Sequence, residues 1–184
     1  MSLKLIDEQF DGIKIFEPRV YSDERGYFYE SFLKSDFDEL GLSFVQDNHS
    51  LSKKNVIRGM HFQWNKPQGK LIRVSSGSAI FYEVDLRLKS KYFGKYYSIE
   101  LNSENKLLMW VPPGFANGFL ALSENTEVQY KCTQYWNPNA EATLIWNDPQ
   151  VNINWNCYNP IISEKDKSGI SLIEWKNQKE SELF

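Results

Sequence analysis

The chain has 184 residues, with 21 basic and 24 acidic side chains, a net charge of -3, 41% hydrophobic residues and 15% aromatic residues. That length suits one domain with a real core, and the missing basic excess excludes a protein that grips duplex nucleic acid chiefly by its phosphates. Cys132 and Cys157 are too few for a disulfide framework, and no apolar run is long enough to read as a membrane span.

The N-terminal stretch MSLKLIDEQF carries no hydrophobic leader pattern, so the expectation is a soluble cytoplasmic domain. From Ile13 onward, short apolar stretches alternate with turn residues. IKIFEPRVYSDERGYFYESF reads as two strands flanking the polar turn SDERG. KSDFDELG reads as a helix with Ser35 as N-cap, Phe37 and Leu40 three residues apart, and Gly41 as its stop. Strands follow in LSFVQDNHSLS, NVIRGMHFQ, KLIRVSS, SAIFYEVDLR, KYYSIELN, LLMWVPP, GFLALS, EVQYKCTQYW and ATLIWND. Strands this short, broken by SSG, NSEN, PPG and SENT, predict an antiparallel sandwich or barrel rather than βαβ units. Residues 152–167 read as irregular, and residues 168–184 as a peripheral short helix with an acidic tail. No repeat or linker interrupts the chain, so a single domain over 1–184 is expected.

A mononuclear metal site needs about three converging ligands, and the chain has only His49 and His61, so no metal is expected. Chemistry would then rest on general acids and bases. His61 is the natural base, because an ordinary imidazole with a pKa of about 6.5 is available uncharged near neutral pH; a histidine with a purely structural role fits the strand equally well. Strict alternation in VIRGMHFQ puts Ile57, Gly59, His61 and Gln63 on one face and Arg58 on the other. Arg58 and His61 share a cavity only if Gly59 bulges or twists the strand, which glycine permits.

In FVQDNHS, Gln46 and Asn48 offer amides suited to sugar hydroxyls or a carbonyl, or equally to capping a loop. Lys70 in QGKLIRV can stabilise an oxyanion as a point charge, unless it is only a solvated strand end. Tyr130 alternates with Val128 and Cys132 in EVQYKCTQYW and reads as a proton donor or as a core residue with its hydroxyl anchored. Asp166, closing SEKD, is a carboxylate that could orient His61 from behind.

Taken in order, DERGYFYESF, FVQDNHSLSKKNVIRGMHFQ, QGKLIRV, VDLR, FGKYYSIELNSENK, WVPPGFANGFLAL, YKCTQYW, WND and SEKD resemble the dTDP-4-dehydrorhamnose 3,5-epimerase family, from about Glu17 to Lys167. The resemblance implies an all-β fold, a cupin-type jelly-roll barrel or sandwich with a few short helices, forming a homodimer and using neither metal nor organic cofactor. It implies a nucleoside-diphosphate 4-keto-6-deoxy sugar as substrate, whose C4 ketone acidifies C3–H and C5–H. By the same resemblance His61 is the base, Asp166 its orienting carboxylate, Lys70 the enolate stabiliser and Tyr130 the acid across the ring. Gln46, Asn48 and Arg58 resemble pyrophosphate and sugar contacts, Tyr135 and Trp136 an aromatic wall. Arg25, Phe28 and Glu30 resemble the nucleoside-binding set, carried on a strand exchanged between subunits.

The sequence departs from the family pattern in two places. GFANGF puts Asn117, a further substrate contact, where a histidine is expected, and an amide carries neither proton nor charge. FYE before VDLR puts Phe81 and Glu83 where an acid and a small apolar residue are expected. These changes leave room for inversion at C3 alone, for a GDP- or CDP-linked deoxysugar or deoxyheptose, and for a binding cupin without activity.

Overall fold

The computed structural model describes residues 3–184. Two facing sheets form its frame. Sheet one orders β1 (Leu3–Gln9), β2 (Ile13–Pro18), β10 (Leu108–Val111), β7 (Lys70–Ser76), β12 (Thr126–Cys132) and β5 (Gln46–Ser52). Sheet two orders β13 (Glu141–Thr143), β6 (Val56–Gln63), β11 (Phe115–Ala121), β8 (Ser78–Asp85) and β9 (Tyr96–Asn102). Neighbours within both sheets run antiparallel, and β14 (Ile161–Ile162) adds to β6 in parallel. A separate hairpin pairs β3 (Tyr21–Asp23) with β4 (Gly26–Phe28). The expected all-β sandwich is the observed architecture.

The near-continuous apolar runs of β8 and β11 have a simple cause: sheet two is covered on both faces. Ala79, Phe81, Phe115, Phe119 and Ala121 point between the sheets, against Ile13, Ile15, Ile72, Val74 and Met109. The intervening Tyr82, Val84, Ala116 and Leu120 point outward and meet Leu144, Val151, Trp155, Leu172 and Trp175. A third cluster lies on the outer face of sheet one, where Phe37 packs with Phe16, Leu71, Leu108 and Trp110.

Several expectations need correction. Residues 3–9 form an edge strand that polar LKLIDEQ does not announce, since Leu5 and Ile6 are both exposed and the register shifts between Leu5 and Asp7. IKIFEPRVYSDERGYFYESF makes three strands rather than two. Helix α1 (Lys34–Asp38) starts two residues earlier than Ser35 implies: Leu33 is the N-cap and supplies no side-chain bond. Gly41 does stop it, with φ +69 and its N–H donating to Asp38 O at 3.0 Å.

The C-terminal segment, expected to be peripheral, packs inward. Ser171 and Glu174 close a capping box at the start of α3 (Leu172–Asn177). Its Leu172 and Trp175, three residues apart, are buried against sheet two. Trp175 stacks edge-on against Phe62, with ring centroids 4.7 Å apart.

Candidate active site

The site begins with the bulge in β6. Phe119 lies opposite Arg58 and Asn117 opposite His61, so three steps on β6 face two on β11. Gly59 is the extra residue. Its φ of +130 is a backbone few side chains adopt, and a Cβ there would meet Gly118 Cα at 2.5 Å. The insertion shifts the alternation by one: Ile57, Met60 and Phe62 turn to the outer core, while Arg58 and His61 turn into one cavity. The glycine thus does what the sequence required of it.

That cavity, about 130 Å³, lies between the sheets where the apolar core ends. Ile72, Phe81, Phe119 and Val128 form its apolar wall, and Arg58, His61, Lys70, Asn117 and Tyr130 bring its polar groups. His61 comes from sheet two, Tyr130 and Lys70 from sheet one.

Asp166 is delivered from behind. Strand β14 docks Ile161 beside Val56, and Ser163 then caps α2 (Glu164–Lys167), its hydroxyl accepting from Asp166 N–H at 3.1 Å. Asp166 Oδ1 lies 2.6 Å from His61 Nε2, and Gly59 N–H donates to Oδ2 at 3.3 Å. Burial alone would raise the Asp166 pKa, yet the His61 contact, its charge, and the Gly59 and Ser163 bonds together hold it below the ordinary carboxylate value. An ionised carboxylate only accepts, so Nε2 carries the ring proton and Nδ1 is the basic nitrogen.

Across the cavity, burial pushes the Tyr130 hydroxyl up, reinforced by Cys132 and Glu141 and opposed by Arg58. Tyr130 therefore keeps its proton at neutral pH. Lys70 Nζ lies 5.9 Å from the centre of the Tyr130 ring and donates to Asn117 Oδ1 at 3.4 Å. Its desolvation lowers its pKa, opposed by Cys132, Glu83 and Glu141. Arg58 is held at the mouth by bonds to Ser52 Oγ at 2.9 Å and Leu51 O at 3.0 Å. Among the described residues no group of three or more His, Cys, Asp or Glu side chains is placed to hold a metal ion.

A model of the family described as dTDP-4-dehydrorhamnose 3,5-epimerase matches residues 7–174. The chain belongs to the dTDP-4-dehydrorhamnose 3,5-epimerase family. It is 46% identical to the dTDP-4-dehydrorhamnose 3,5-epimerase of Pseudomonas aeruginosa, over 84% of this chain and 88% of that one. It is 44% identical to that of Methanothermobacter thermautotrophicus, over 98% and 97% of the two chains. The crystal structure of the Legionella pneumophila dTDP-6-deoxy-D-glucose-3,5-epimerase in complex with dTDP-4-keto-L-rhamnose superposes with a TM-score of 0.90 at 41% identity, covering 99% of this chain and 97% of that one.

Not every residue expected from the epimerase likeness reaches the cavity. Asn48 lies opposite Tyr130, and Gln46 opposite Cys132. The two amides bond each other at 3.0 Å, and Gln46 Oε1 accepts from Trp136 N–H at 2.8 Å, so they form a rim beside Tyr130. Tyr135 and Trp136 are 70% and 55% exposed and do not line the cavity. Arg25, Phe28 and Glu30 stand apart. Arg25 is paired with Asp23, Phe28 is 67% exposed, and the β3–β4 hairpin lines a groove of its own. His49 faces Glu127 at 3.0 Å at the exposed edge of sheet one.

The sequence marked Glu83 as a departure from the family pattern but assigned it no partner. Glu83 lies opposite Asn117 on β8, fully buried, and accepts from Asn117 Nδ2 at 2.5 Å. Its signal was a lone acid between Phe81 and Asp85 on the inner face of an apolar strand.

Proposed function

We propose that the chain inverts C3 and C5 of dTDP-4-dehydro-6-deoxyglucose, yielding dTDP-4-dehydrorhamnose in the synthesis of rhamnose for surface polysaccharide. The observation that carries this reading is one cavity walled by two sheets, with His61, backed by Asp166 of α2, on one and Tyr130 on the other. Inversion needs exactly this division, because a proton must leave one face of the ring and arrive at the opposite face.

In this reading His61 Nδ1 takes the proton from the carbon beside the ketone. The C–H electron pair moves into the ring bond as the carbonyl electrons move onto the C4 oxygen. Lys70 faces that oxygen as an ammonium, in a wall apolar enough to strengthen the attraction. Tyr130 returns a proton to the other face, the enolate collapses to the ketone, and the acid and base re-equilibrate with solvent. Asp166 stabilises the imidazolium and fixes its tautomer. Arg58, Gln46, Asn48 and Asn117 meet the diphosphate and the sugar. The exposed β3–β4 hairpin serves a second copy of the chain, so that Arg25, Phe28 and Glu30 hold the nucleoside in the partner's site of a cytoplasmic homodimer, with Tyr135 flanking the sugar.

The test is NMR of dTDP-4-dehydro-6-deoxyglucose incubated with the protein in D₂O. Deuterium at both C3 and C5 is the expected result. Label at C3 alone would make the enzyme a monoepimerase, and no label at either carbon would remove the reading.

A further inference from the structure

Glu83 is a buried acid behind the cavity wall, against Asn117, that the proposed reaction does not use. It is 0% exposed, and its two oxygens live differently: Oε1 accepts from Asn117 Nδ2, whereas Oε2 is buried with no hydrogen-bond partner. Asn117 holds the centre, opposite Glu83 in the β8–β11 ladder and opposite His61 in the β6–β11 ladder. Its carboxamide faces both ways, Nδ2 to Glu83 and Oδ1 to Lys70.

A carboxylate spreads its charge over both oxygens, and a bare buried Oε2 then leaves half of that charge unsolvated. A carboxylic acid leaves only one uncharged hydroxyl bare, a far smaller cost. Orientation points the same way. With Asn117 Nδ2 committed to Glu83, its Oδ1 is held toward Lys70, and a neutral Glu83 does this without neutralising the lysine. An ionised Glu83 would instead compete with the enolate for the Lys70 charge and repel the enolate as well.

From this geometry we infer that Glu83 in its protonated form is a positioning residue, anchoring Asn117 and leaving the Lys70 charge free for the enolate oxygen. The inference rests on the epimerase reading above. Burial pushes Glu83 well above the ordinary carboxyl value, with Asn117 and Lys70 opposing it. The other ionisable groups around Lys70 are Cys132 and Tyr130 on β12, Glu141 on β13, and His61 and Arg58 on β6.

Loss of one proton from the Lys70–Glu83 pair discharges the cavity whichever partner gives it up. Glu83→Gln keeps the acceptor for Asn117 but closes one of those two routes. A pair with two routes loses its first proton at lower pH than Lys70 alone. The alkaline fall in kcat therefore moves upward in E83Q, by about 0.3 pH unit if the two routes are equal and by more if Glu83 gives up its proton first, so that above the wild-type midpoint E83Q is faster by about twofold or more. A purely structural role for Glu83 would not give a rate ratio that grows with pH.

Wild-type protein carrying ¹³C-labelled glutamate carboxyls gives a second readout that needs neither a variant nor turnover. One side-chain carboxyl resonance is expected in the acid form at neutral pH, and it is absent from E83Q. Overlapping pH profiles, or a Glu83 resonance in the carboxylate form at neutral pH, overturn the inference. If the wild type exchanges no deuterium into the sugar, the epimerase reading falls, while the carboxyl resonance still reports on Glu83 by itself.

Discussion

Asp166→Asn changes one atom, and the structure says what that atom does. Oδ1 accepts from His61 Nε2–H and Oδ2 from the buried Gly59 N–H. In asparagine one oxygen becomes a donor. If it faced Gly59, two donors would meet; the carboxamide oxygen therefore keeps Gly59 and the amide N–H turns to His61. Nε2 must then accept, and the ring proton moves to Nδ1, the nitrogen that the proposed reaction needs bare. Losing a charged hydrogen bond costs about 1.5–3 kcal/mol, and enforcing the wrong tautomer adds about 0.5–1.5 kcal/mol. At 1.36 kcal/mol per tenfold, kcat falls by about 30- to 2,000-fold. Asp166→Ala loses the charge but leaves both tautomers open, so it falls by only about 10- to 150-fold. Deuterium incorporation measures kcat, and ¹⁵N NMR of the ring reads the tautomer. A D166A enzyme slower than D166N, or an Nε2–H ring in D166N, would refute the reasoning.

Tyr130→Phe removes proton delivery and lowers epimerisation by about 10² to 10⁴-fold; solvent deuterium still enters C3 from the His61 side, and loss of that exchange too would deny Tyr130 its separate role. Gly59→Ala forces a Cβ to within 2.5 Å of Gly118 Cα and 2.9 Å of Asn117 O at a φ of +130. A cost of about 3 kcal/mol or more, or a Tm drop of at least roughly 6 °C, is expected in a thermal melt. Trp175→Ala, at a fully buried ring, costs about 3–5 kcal/mol by chemical denaturation, whereas a peripheral tail would lose within about 0.5 kcal/mol. Glu83 has a raised folded-state pKa, so its contribution to stability is present below its ordinary value of 4.5 and is lost as pH rises from there toward the folded value. The Tm of E83Q relative to wild type therefore increases from pH 4.5 to neutrality, and a constant difference would contradict the sign.

Sequence periodicity carried most of the strands because the two sheets impose it, and it failed where tertiary contacts outvote it. In β1, Leu5 and Ile6 are adjacent and both exposed, so no alternation marks the edge strand. In the C-terminal segment the signals were present but read as a peripheral helix. Ser171 with Glu174 is a capping box, and Leu172 with Trp175 is a buried helical stripe, whose covering partner is sheet two, more than eighty residues away in sequence from Phe62 and Tyr82. His61, Lys70, Tyr130, Arg58 and Asn117, from several stretches of the sequence, line one cavity. The role of Asn117 as a bridge between Lys70 and Glu83 was not legible, because it depends on which residue of β8 lies opposite it, and register is not written in either strand alone.

The chemistry of the cavity follows from where the core stops. Ile72, Phe81, Phe119 and Val128 belong to the apolar layer between the sheets and also line the cavity. That single wall desolvates three groups at once: Tyr130 and Glu83 are pushed up and Lys70 down. Each shift favours the uncharged form, as burial must. In the proposed reaction the first two effects serve directly, since an acid must hold its proton and a neutral Glu83 does not compete for the lysine. The third works against it, because Lys70 is useful only as a cation. A cavity dry enough to strengthen an ammonium–enolate contact is also dry enough to deprotonate the ammonium, so the site needs neighbours that restore the charge. Cys132, Glu83 and Glu141 each pull the Lys70 pKa back upward when ionised. Burial holds Cys132 and Glu83 toward their neutral forms, so Glu141, whose pKa is lowered against burial by its Lys165 contact, is the neighbour that supplies that charge at neutral pH. The arrangement is therefore a balance between burial and local negative potential, and the position of Glu83, joined to Lys70 only through an uncharged amide, lets that potential be withdrawn or applied by a single proton.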